Sequence, residues 1–84
     1  MLVLTVKSKM SIAIGADIVN IIYVKPKFIL IKIQDDFFVV KKNNEFFFNE
    51  FTILYYKYRL VAIDAPTEIK ILRNNAVKRT KRGL

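Results

Sequence analysis

What most constrains this chain is its run structure. Short stretches of β-branched and aromatic residues are cut repeatedly by polar or turn-forming clusters. Such side chains fit the pleated, half-buried surface of a sheet. Leu2 to Val6 reads as a short apolar strand, and Ser11 to Ile14 alternates so that Ile12 and Ile14 share one face. Gly15-Ala16-Asp17 is a turn. Ile18 to Val24 reads as a buried strand, broken at Lys25-Pro26-Lys27 because proline donates no ladder hydrogen bond. Phe28 to Ile33 is another strand, ended by Gln34-Asp35-Asp36, with Phe37 to Lys41 as its hairpin partner. Lys42-Asn43-Asn44-Glu45 is the clearest turn in the middle, since asparagine tolerates left-handed backbone angles.

Beyond that turn two readings stand. Phe46-Phe47-Phe48 fits either element type, and Phe47, Phe51 and Leu54 would share one face of a helix over 45–57. The aromatic and β-branched content favours strand. Thr52 to Ile63 then reads as one long strand, with Tyr55, Tyr56 and Tyr58 interleaved with Lys57 and Arg59. Alternating aromatic and basic side chains at 56–59 suit base stacking, and one buried and one solvated strand face explains them equally well. Glu68 to Leu72 is the expected last strand. Asn74 is placed to cap a short C-terminal helix from Asn75, followed by a basic end.

At 84 residues this is one domain, and a domain of that size hides a limited fraction of its surface. Yet 54% of the residues are hydrophobic and mean hydropathy is +0.28. A dimer interface is the simplest home for the excess, with a membrane surface as the rival. No apolar run reaches the ~18 residues that a spanning helix needs, because Lys25, Lys27, Lys32 and Asp35 interrupt the candidates. The opening residues lack the form of a signal peptide, so a cytoplasmic location is expected. Without cysteine there is no disulfide or thiolate metal site, and without histidine the commonest general base is missing. Asp35-Asp36 is the only adjacent acidic pair, and neighbouring strand residues point to opposite faces. The chain reads as a non-enzyme with no cofactor.

Net charge is +8, concentrated in the last third, where residues 58–84 carry seven positive and two negative side chains. A basic surface favours polyanions. A solvated tail that keeps an apolar protein soluble accounts for the charge alone just as well.

Two segments carry a family resemblance. Met1-Leu2-Val3-Leu4-Thr5, followed by Ser11-Ile12-Ala13-Ile14-Gly15, and later Asp64-Ala65-Pro66-Thr67-Glu68-Ile69-Lys70-Ile71-Leu72-Arg73 resemble the first and last strands of the carbon storage regulator family (CsrA/RsmE). The resemblance covers residues 1–25 and about 57–77. It implies a mostly β, CsrA-like intertwined homodimer of small β-sheets with a short C-terminal helix. Residues 26–56 would then be a β-rich insertion between the second and third family strands, within a single domain spanning 1–84.

The family comprises bacterial RNA-binding regulators of translation that bind GGA-containing loops in messenger RNA leaders (the mRNA 5' leader). The first strand of one copy lies beside the last strand of the other, so each site draws on both. Carried over by position, Leu4, Thr5, Lys7, Ala65, Pro66, Ile71 and Arg73 would contact single-stranded or hairpin-loop RNA. Lys9, Lys78, Arg79, Lys81 and Arg82 would add phosphate contacts. The family usually has a basic residue where this chain has Val6, which implies that Val6→Arg should raise affinity. Each residue also has a plainer reading. Leu4 suits a core position, Ala65-Pro66 shapes a turn, and Arg73 pairs with a carboxylate. The alternative function is a protein-interaction module on the same scaffold with weakened RNA binding, its insertion binding a protein partner or altering assembly.

Overall fold

A computed structural model describes residues 1–73. The polar clusters do act as turns, and the runs between them form strands in chain order. These are β1 (Leu2–Thr5), β2 (Ser11–Ile14), β3 (Asp17–Val24), β4 (Phe28–Ile33) and β5 (Asp36–Lys41), then β6 (Glu45–Phe48), β7 (Phe51–Lys57), β8 (Leu60–Asp64) and β9 (Ile71–Arg73). They build two antiparallel sheets, ordered β1-β8-β7-β6 and β5-β4-β3-β2-β9. The fold is mostly β, and no helix occurs among the described residues.

The alternation of side chains explains how the sheets share one core. Ile12 and Ile14, Ile29, Ile31 and Ile33, and Ile53, Tyr55, Val61 and Ile63 all point inward and are buried. Among the described residues no polar or charged one is buried. Where β5 meets β6 an aromatic cluster closes the core. The Phe38 ring lies 5.0 Å from Phe46 and 5.8 Å from Phe48, distances at which tilted and edge-on rings attract. Phe47, between them, points out to solvent.

Residues 26–56 are therefore strand-rich, as expected, and the helical alternative over 45–57 is replaced by β6 and β7. The expected single strand from Thr52 to Ile63 is two. Arg59 adopts φ of 72°, and the chain reverses at Tyr58-Arg59 into β8. The expected last strand from Glu68 starts only at Ile71. A turn in which the Ile69 N–H donates to the Pro66 carbonyl (3.0 Å) takes up the preceding residues. The expected C-terminal helix lies outside the described residues.

The β2–β3 turn depends on Gly15. Its φ is +61°, its N–H donates to the Lys70 carbonyl at 2.9 Å, and an added Cβ would sit 3.2 Å from Ile69 Cγ2. Gly15→Ala is expected to destabilise the protein by about 1 kcal/mol or slightly more, through left-handed backbone strain and that contact. Urea denaturation checks this, and an unchanged midpoint would contradict it.

Candidate nucleic-acid interface

The two resembling segments occupy the edges of different sheets. Among the described residues β1 pairs only with β8, and β9 only with β2, so the two strands are not hydrogen-bonded to each other within one chain. Their orientation follows from the ladders. Thr5 stands opposite Leu60, beside the β7–β8 turn, while Ile71 stands opposite Ile14, beside the β2–β3 turn at the other end. Both strands run away from the end that holds the β2–β3 turn.

The expected site residues therefore separate. Leu4 is buried in the core, which is its plainer reading. Thr5 and Lys7 are exposed at one end of the molecule. Ala65 and Pro66 lie at the opposite end, Ala65 packed against the core and Pro66 exposed. Ile71 is half-buried against the core. Arg73 holds a ladder position opposite Ile12. Lys9 is exposed, with φ of 69°, and borders an open groove of about 490 Å³ shared with Ser11, Asn20 and Lys32. The Ser11 hydroxyl donates to Asn20 Oδ1 at 2.8 Å across that groove. Lys78, Arg79, Lys81 and Arg82 lie outside the described residues.

One expectation is corrected outright. Val6 has no exposed surface, because strand alternation from Leu4 carries it inward, and its N–H donates to the Arg59 carbonyl at 2.8 Å. An arginine there would enter the core and not reach a ligand.

The charges divide by end. In an up-and-down antiparallel arrangement successive turns fall alternately at the two ends. Lys25 and Lys27 flank the β3–β4 turn, Lys41 and Lys42 open the β5–β6 turn, and Lys57 and Arg59 frame the β7–β8 turn. With Lys7 they make seven exposed cations at one pole. The intervening turns carry Asp17, Asp35 and Asp36, Glu50, and Asp64 with Glu68 at the other pole, where Lys70 is the one described lysine. Glu45, the remaining acid, opens edge strand β6 beside the basic β5–β6 turn, opposite Leu54. No sequence-based reading joined the basic turns into one surface. The signal was present, since charge sign changes from each turn to the next.

The basic pole is fastened together by backbone hydrogen bonds. The Lys42 N–H donates to the Lys27 carbonyl (2.8 Å), and the Asn43 N–H to the Tyr55 carbonyl (2.7 Å). Beneath them the fully buried Tyr55 ring donates its hydroxyl to the Lys25 carbonyl (2.6 Å), and the Tyr55 hydroxyl oxygen accepts the Arg59 N–H (3.3 Å). Tyr56 is the extra residue of a β-bulge between Tyr55 and Lys57. A bulge resets the alternation, so Lys57 faces out where strict period two would turn it inward. Tyr56 and Tyr58 are 36% and 49% exposed, and all four residues from 56 to 59 meet solvent.

No protein-family model, curated protein or solved structure matches this chain.

Proposed function

We propose that the chain is a homodimeric RNA-binding translational regulator that recognises GGA-containing loops in messenger RNA leaders, as its resemblance to the carbon storage regulator family implies. It is read as a cytoplasmic binding protein without catalytic chemistry. One observation carries the reading: among the described residues the two resembling segments form sheet-edge strands that run in the same direction. If β1 of one copy pairs antiparallel with β9 of a second, opposite poles come side by side. Thr5 and Lys7 of one copy then stand near Ala65, Pro66 and Ile71 of the other, so two copies build a site that one chain leaves divided. The pairing also covers Leu2, Val3 and Leu72, which are exposed in the single chain. Splayed bases of an RNA loop suit recognition by strand-edge groups. No helix among the described residues is long and apolar enough to cross a membrane.

The test is a gel shift with a GGA-loop hairpin beside a scrambled loop. Wild type is expected to prefer GGA, and Arg73→Ala to weaken that binding by roughly 1–3 kcal/mol while reducing the preference. Light scattering should give a dimer, with a melting temperature that rises with protein concentration. A monomer without GGA preference at low salt would sink this reading.

A second reading has its own support. Phe37 and Val39 of β5 are 60% and 55% exposed, within the segment expected to be an insertion. Exposed apolar residues on a sheet face suit a protein partner, and the interaction-module function is what remains if RNA binding is absent.

A further inference from the structure

We infer that the basic pole is a second nucleic-acid-binding surface, which borders the strand-edge site at Thr5 and Lys7 and extends from there over the lysines of the hairpin turns. It takes the phosphates of a single-stranded segment on its lysines and stacks bases on Tyr56 and Tyr58. The single strand follows from this surface alone, whereas RNA in preference to DNA rests on the proposed function.

Three observations carry the inference. First, seven cations project from turns at one end, and six of the chain's seven acids stand at the other. A surface so divided attracts an extended polyanion. Second, the pole is built before any ligand arrives. Hydrogen bonds of 2.6–2.8 Å through Lys25, Lys27, Lys42, Tyr55 and Val6 lock its turns to one another. Little ordering cost is then left for binding. Third, the aromatic rings at this pole are exposed between cations. Tyr56 and Tyr58 alternate with Lys57 and Arg59, and the Lys25 ammonium lies 5.3 Å from the Tyr23 ring centre. Cationic grooves with exposed rings bind single strands by stacking, with little dependence on sequence.

A lipid surface is the rival occupant of this pole. The large hydrophobic side chains exposed at this pole are Tyr23, Tyr56 and Tyr58. Met1, Leu2, Val3, Ile18, Phe37, Val39, Phe47 and Leu72, the other exposed ones, lie along the strands or toward the acidic pole. Tyrosine rings beside lysines also suit a headgroup layer, and the vesicle arm of the test decides between the two.

The test is fluorescence anisotropy with oligo(U) and oligo(dT) of about 12 nucleotides, a length within the usual site size and free of GGA. The triple variant Lys25→Gln, Lys27→Gln, Lys42→Gln should bind both at least tenfold more weakly. Its slope of log K against log salt should be shallower by about 2, as three lost phosphate contacts predict. Tyr58→Ala should weaken binding at least fivefold, and Tyr58→Phe should keep it, because the ring face is what stacks. Asp35→Asn with Asp36→Asn, at the far pole, should leave affinity within twofold. All these side chains are exposed, and circular dichroism verifies that each variant is folded. A triple variant that binds like wild type with an unchanged salt slope overturns the inference. So does a wild type that floats with anionic vesicles yet ignores both oligonucleotides. The proposed function fails separately, since its readout is the ratio of GGA to scrambled loop.

Discussion

Val6→Arg is expected to unfold much of the protein and, with it, to abolish RNA binding. Resemblance alone implies the opposite, since an arginine at this place would contact RNA. The structure puts the Val6 side chain at 0% exposure among Leu4, Met10 and the other inward residues of the core. No described acid is buried to pair with a guanidinium there. An uncompensated charge in such a place costs on the order of 4 kcal/mol or more. A small domain has only about 5–15 kcal/mol in total. Thr5→Arg is the informative partner experiment. One residue earlier, the side chain faces solvent at the basic pole, so that variant should fold like wild type and bind polyanions at least as well. Thermal melts of the two, run together, check the parity. A Val6→Arg protein that melts near the wild-type temperature and binds RNA more tightly would refute the inward placement.

The other large effect is expected at Tyr55. Its ring is fully buried in β7, and its hydroxyl both donates to the Lys25 carbonyl and accepts the Arg59 N–H. Tyr55→Ala should cost roughly 3–5 kcal/mol from the cavity, as for other large aromatic truncations, with a further penalty for the two stranded backbone groups. Tyr55→Phe keeps the packing and loses only the hydroxyl, so about 1–3 kcal/mol is expected. Denaturant titrations give both values. Amide exchange adds a local signature, because the Arg59 N–H should exchange faster in Tyr55→Phe. Equal stability of wild type and Tyr55→Phe would show that water replaces the hydroxyl without loss.

Both predictions turn on side-chain direction, and this was only partly legible. Leu4 and Val6 follow period two, so the inward placement of Val6 was available from the strand pattern. At Tyr55 to Arg59 the pattern itself misled. The alternation suggested one long strand with one buried face. A bulge at Tyr56 and a reversal at Arg59 instead exposed four consecutive residues. Bulges arise from the match of two strands, so a single strand's sequence does not announce them.

The residues alone determined that this chain is a β protein with turns near 15–17, 25–27, 34–36 and 42–44, and an apolar core built from alternating isoleucines and valines. Those properties are local, set by side-chain fit to a pleated strand and by backbone preferences at Gly, Pro and Asn. Tertiary structure decided which edge each strand occupies and which end each turn reaches. Among the described strands β1 and β9 became edges of two sheets because β8 and β2 took their inner sides. The lysines of three hairpin turns, spread over more than thirty residues of sequence, became one surface because antiparallel strands return every second turn to the same end. Pairing between distant strands sets those outcomes, and no window along the chain contains both partners.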